Sequence, residues 1–151
     1  MAYCRSVNGL IVLSHSRVMG FRVKPLQTPF SVAFSVEDST AIVYANASGL
    51  IDSTDYIDGY ITFFGSLAEP WRYHYLSDLS RCTGFVAYSD LMRLADFWEP
   101  HLKHFPRRRK VAVVTKDRLM VERMPKMDDL LAQTSHRTFP TLKDARAWLL
   151  A

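Results

Sequence analysis

The stretch that decides the fold is Pro106-Arg-Arg-Arg-Lys-Val-Ala-Val-Val-Thr-Lys-Asp117. Within it the four apolar residues Val111 to Val114 are bounded by charge on both sides. That is the pattern of a strand buried on both faces, as in a parallel sheet, and it marks the expected centre of the sheet. A strand so buried needs helices over it. Upstream, Leu91, Met92, Leu94, Ala95, Phe97, Trp98 and Leu102 fill one broad stripe of a helix ending near Phe105. Ser89 stands at its start as the expected N-cap. Downstream, Asp117 caps a helix containing Leu119 and Met120, which Pro125 must bend or split before Met127, Leu130 and Leu131 continue it. A short extended piece, 136–139, follows. Thr141, with Asp144 three residues on, then starts a terminal helix lined by Ala145, Trp148 and Leu149.

On the N-terminal side, Val32, Phe34 and Val36 share one face of a strand, Glu37 to Thr40 supply turn residues, and Ala41 to Ala45 resume as a second strand. This predicts a β-hairpin, followed by a break at 46–49. Asp52, Ser53 and Thr54 offer capping oxygens to a helix over 53–67, in which Tyr56, Ile57, Tyr60, Ile61 and Phe64 recur at helical spacing. Glu69-Pro70 ends it, and a strand from Trp71 runs toward Asp78. The order is that of an α/β protein: a mixed β-sheet with an N-terminal hairpin and about four helices packed on it.

The chain has 151 residues, 48% apolar and 23% charged, the composition of an ordinary globular protein able to bury a core without metal or disulfide staples. Its formal charge is +4 and its pI about 9.2. The excess lies entirely in residues 1–28, which hold Arg5, Arg17, Arg22 and Lys24 and no acid, while the remainder is formally neutral. Residues 1–28 are therefore read as a basic, poorly ordered extension of one domain spanning 29–151, and the charge argues against a nucleic-acid partner. Cys4 and Cys82 form no ligand or disulfide pattern, as expected of reduced thiols in the cytoplasm. The run Leu10-Ile-Val-Leu13 is too short for a signal core or a membrane span.

For a polar site the sequence offers Asp78 and Ser80 beyond one strand, and Thr115, Lys116 and Asp117 beyond its neighbour, at the crevice where open α/β sheets bind ligands. With Ser89 and Asp90 they form the candidate rim for a partner or ligand. Each also has a plainer role: Asp117 and Ser89 as caps, Asp78 as a turn former. The basic run Lys103, Arg107, Arg108, Arg109 and Lys110 is read as a solvated loop guarding a sticky strand, with phosphate contact as the alternative. Met120, Met124 and Met127 are read as core, with a ligand box as the alternative. His101 and His104 lack a matching carboxylate, so no metal site is expected. No catalytic triad, nucleophile elbow or phosphate loop is present, and neither an enzyme nor a cofactor is expected.

The unit Leu76-Ser-Asp-Leu-Ser80, Thr83-Gly-Phe85 and Ser89-Asp-Leu-Met-Arg-Leu94 resembles the strand-loop-helix of STAS-type proteins. With Lys110 to Thr115 and Phe139 to Leu149 added, residues 30–151 are similar to the SpoIIAA-like STAS/SEC14 group of small bacterial proteins. The resemblance implies a non-catalytic regulatory or protein-interaction module. The alternative it implies is a carrier or sensor of an apolar small molecule or lipid, as in SEC14-like relatives. In the anti-sigma-factor antagonists of the STAS family a serine at this helix start is phosphorylated. That makes Ser89 a candidate phosphoacceptor, although the acid before it and the glycine after it in the family motif are absent here.

Overall fold

The structure is a computed structural model, and it describes residues 28–151. The basic extension and Cys4 lie outside the described residues but for Thr28. β1 (Ser31–Glu37) and β2 (Ile42–Leu50) pair antiparallel as the expected hairpin. Its turn is closed by a bond from the Ala41 amide to the Asp38 carbonyl at 3.2 Å. β3 (His74–Thr83), β4 (Arg109–Val114) and β5 (Thr134–Phe139) follow in parallel, giving a mixed sheet of order β1-β2-β3-β4-β5.

The helices are α1 (Ser53–Gly65), α2 (Tyr88–Trp98), α3 (Arg118–Arg123), α4 (Met127–Leu130) and α5 (Leu142–Leu150). A 3₁₀ turn at Met124–Lys126 joins α3 to α4 at Pro125, the split that this proline requires. Because the parallel strands are in sequential order, right-handed crossovers deposit α1, α2 and the α3–α4 pair on the same side. There Val43, Ala45, Tyr75, Leu79, Val111 and Val113 meet Ile57, Tyr60, Phe64, Leu94, Trp98 and Leu131. On the other side α5 alone packs Ala145, Leu149 and Trp148 over Ile42, Leu76, Ala112 and Val114. Asp52, Asp117 and Thr141 accept backbone amides at the starts of α1, α3 and α5, as their sequence positions predict.

The strand expected from Trp71 begins at His74, after a 3₁₀ turn at Pro70–Arg72, and three further expectations need correction. β4 is buried on both faces but is not the central strand, since β5 follows it and β3 occupies the middle. β2 runs through the expected break to Leu50, because Gly49 adopts φ +93° and lets the chain close against Thr28 and Pro29. A Cβ there would sit 2.4 Å from the Pro29 carbonyl oxygen. β3 continues through Asp78 and Ser80 to Thr83, with a bulge opposite Asn46 to Ser48, so neither residue lies beyond the strand end.

Candidate functional site

Between the sheet and the α2 and α3–α4 helices lies a cavity of about 410 Å³. That is the size of a small-molecule site. Its floor is Tyr75, Leu79, Val111 and Val113, one face of two parallel strands; α1 contributes Tyr56, Ile57 and Tyr60, and α2 contributes Leu91 and Leu94. The opposite wall is Met120, Met124, Met127 and Leu131. On this wall α3 and α4, short segments broken at Pro125, present flexible methionines to the space. The expectation that these methionines are core is thus half right: they pack on the core cluster, yet also wall a void. Phe85 and Leu119 at the rim are 63% and 62% exposed. The Arg123 guanidinium lies 5.6 Å from the Phe85 ring, so a side chain from α3 crosses to the β3–α2 loop.

Polar groups are few and well defined. The Tyr56 hydroxyl bonds those of Tyr75 and Ser77, each at 2.7 Å, and burial pushes the Tyr56 phenol up to about 12, so this cluster stays protonated. His136 Nδ1 is 2.7 Å from Asp128 Oδ1, and burial of the ring lowers its pKa. Arg109 is 2% exposed. Its Nε donates to the Tyr73 carbonyl at 3.0 Å and its Nη2 to the Tyr60 hydroxyl at 2.7 Å, while Trp98 and Phe64 lie 4.4 and 4.9 Å from the guanidinium carbon.

Arg109 therefore corrects the reading of the basic run as a solvated loop. Lys103, Arg107 and Arg108 are exposed, but Arg109 opens β4 with its side chain turned inward, and Lys110 Nζ donates to the Trp148 carbonyl at 3.0 Å. The strand begins two residues earlier than its apolar run, and alternation buries the first of them.

The candidate rim is not brought together as one site. Asp78 pairs with Val114 on the α5 side of the sheet, and its carboxylate accepts from the Ser80 amide and hydroxyl at 3.0 and 2.6 Å. Thr115 is buried, with its hydroxyl accepting from the Asp117 amide at 3.1 Å; Lys116 is exposed; Asp117 caps α3 and borders the cavity. Ser89 is exposed and is not the cap of α2, a position held by Ala87. α2 has no side-chain cap; Ser53 at the start of α1 instead ties down its entry, its Oγ accepting from the Ala87 amide at 2.7 Å and donating to Asp90 at 2.6 Å. Arg93 completes this clasp by donating to both Asp90 and Asp58. These bonds hold the Asp90 carboxyl below the usual carboxylate range, the Ser53 hydroxyl first among them. Residues so far apart in the chain carry no spacing signal that would have linked them.

His101 and His104 lie beside the Trp71 ring, with ring centroids at 5.6 and 4.5 Å. Among the described residues no group of three metal-ligating side chains converges, and no helix is long and apolar enough to cross a membrane.

A family model described as SpoIIAA-like matches residues 42–150. No curated protein matches the sequence. Among solved structures the chain is similar to an uncharacterized protein with a SpoIIAA-like fold from Shewanella loihica. The identity is 14%, covering 85% of this chain and 99% of that one, at a TM-score of 0.55. It is also similar to an anti-sigma factor antagonist from Mycobacterium paratuberculosis, at 19% identity over 83% of this chain and 100% of that one, with a TM-score of 0.50.

Proposed function

The chain belongs to the SpoIIAA-like family, and from that premise we propose that it is a non-catalytic binding module that encloses an apolar small molecule between its sheet and α2–α4. One observation carries this reading: the cavity of about 410 Å³, walled mainly by methionine, leucine, valine and aromatic side chains, with Arg109, Asp117, Arg123 and His136 among its lining. Methionine walls adapt to ligand shape at little cost, and release of water from apolar surface drives binding. Titration with the neutral fluorophore N-phenyl-1-naphthylamine tests it. Saturable binding with an emission increase is expected, lost when Leu91→Trp fills the space. Undiminished binding by Leu91→Trp, or none by the wild type, would overturn the reading.

A second reading, a STAS-type regulatory module that binds another protein, is favoured by the exposed aromatics Phe85 and Tyr88, 63% and 70% exposed, flanking the start of α2 beside Ser89. Under it, Ser89 is the phosphoacceptor, and a phosphate at this helix start would be stabilised by the helix dipole. Co-purification from the native cell with wild-type protein and with Ser89→Glu distinguishes this reading. A partner whose capture ignores both Ser89→Glu and Phe85→Ala would refute it.

A further inference from the structure

Arg109 is a buried cation without an anion. Among the described residues it forms no ion pair, its Nε and Nη2 are occupied by a carbonyl and a phenol, and its Nη1 has no hydrogen-bond partner. That nitrogen is not sealed in protein, because no fully buried side-chain nitrogen or oxygen among the described residues lacks a partner. Arg109 is among the residues that line the cavity. Burying a guanidinium this way is costly unless an anion joins it.

The neighbouring Tyr60 hydroxyl tells the same story. It accepts from both Trp98 Nε1 at 3.1 Å and Arg109 Nη2 at 2.7 Å, so its own proton is left to donate, and it donates to no described residue. Tyr60 also borders the cavity. Two unpaired donors, one charged, thus meet a mainly apolar chamber whose other polar lining residues are Tyr56, Tyr75, Asp117, Arg123 and His136. The acid that lines the chamber, Asp117, is engaged with the Leu119 and Met120 amides, and Asp128 is engaged with the lining His136. The aromatic faces of Trp98 and Phe64 stabilise the guanidinium but accept no hydrogen bond of the strength an anion offers.

We propose that the ligand is an anionic amphiphile, a carboxylate-headed alkyl or isoprenoid chain, whose head accepts from Arg109 Nη1 and the Tyr60 hydroxyl and whose apolar body lies along Met120, Met124 and Met127. The orientation places the head inside and the tail toward Phe85 and Leu119. This rests on the cavity being a ligand site. Hydrogen bonds to charged groups predict a roughly ten- to hundredfold preference for the anion over a neutral chain of equal length.

The test is calorimetric titration of the full chain with decanoate, decanol and decylamine below their aggregation concentrations. Decanoate is expected to bind tightest and decylamine weakest. Arg109→Gln is expected to erase the decanoate preference while decanol binding persists. Tyr60→Phe, which keeps the ring, is expected to reduce the preference severalfold and serves if Arg109→Gln does not fold. Equal affinity for decanoate and decanol in the wild type would overturn the anion assignment and leave the cavity reading standing. Transfer of the effect to the rim cation, with Arg123→Gln abolishing the preference and Arg109→Gln retaining it, would overturn the orientation. Failure of all three probes to bind would overturn the cavity reading itself.

Discussion

Ser53→Ala removes a hydroxyl that does two jobs at once, and the structure sets the size of the loss. Ser53 Oγ donates to the Asp90 carboxylate at 2.6 Å and accepts the Ala87 amide at 2.7 Å, stitching the start of α1 to the start of α2. A hydrogen bond to a charged group contributes about 1.5–3 kcal/mol and a neutral one about 1 kcal/mol. Thr54, 3.5 Å from the same carboxylate oxygen, is too distant to take over. Water reaches part of this half-buried site, so the net destabilisation is about 2–3 kcal/mol. The assay is urea unfolding of the wild type, Ser53→Ala, Asp90→Ala and the double variant. The expected result is an unchanged denaturant slope and a coupling energy of about 1–2 kcal/mol between the two positions. A Ser53→Ala cost below about 0.5 kcal/mol, or strict additivity with Asp90→Ala, would refute the clasp.

Three further predictions follow from buried groups and backbone. His74 is 5% exposed and accepts the Lys110 amide at Nδ1, and burial, with the charges of Arg107, Lys110 and Arg109, lowers its pKa from 6.5 to about 4. The unfolded chain binds that proton more readily, so stability is full above about pH 6.5 and declines as pH falls toward 4, by roughly 3 kcal/mol at most. Denaturant midpoints measured across that window should fall in the wild type and fall less in His74→Gln; parallel curves would contradict this. Gly49→Ala, which forces a side chain into φ +93° and against the Pro29 carbonyl, should cost about 1–3 kcal/mol by thermal or urea unfolding, and a neutral result would contradict the close approach. Burial raises the Cys82 thiol to about 11 from an ordinary 9.0, so the peptide bearing it should be alkylated at pH 8 about a hundredfold more slowly in native than in unfolded protein. Equal rates by mass mapping would refute the shift.

Much of the fold is legible because its signals are local. Asp52, Asp117 and Thr141 act as caps within three residues of the amides they accept, and Pro125 breaks its helix wherever the chain goes. Val111 to Val114 need burial on both faces under any topology. What escapes the sequence is set by partners distant in the chain. Ser89 has the residue type of a cap, but the N-cap position falls on Ala87, and Ser53 from another helix secures that residue's amide. Arg109 looks like its exposed neighbours Arg107 and Arg108 until the start of β4 turns it toward Tyr60 and Trp98. The methionine stripe has the same helical period whether it fills a core or walls a void, and only the short α3 and α4 segments decide which. Asp78 and Ser80 move off the expected rim because β3 goes on pairing with β2 past a bulge, as far as Thr83.

The most direct measurement of the central claim is a titration followed by NMR of methyl-labelled methionine, with decanol as the neutral apolar probe. Met120, Met124 and Met127 wall the cavity, while Met92 on α2 lies outside it and is 37% exposed. Saturable shifts of the three cavity methyls are expected, with Met92 unmoved. Unmoved cavity methyls at saturating probe, or shifts of Met92 as large as theirs, would contradict it.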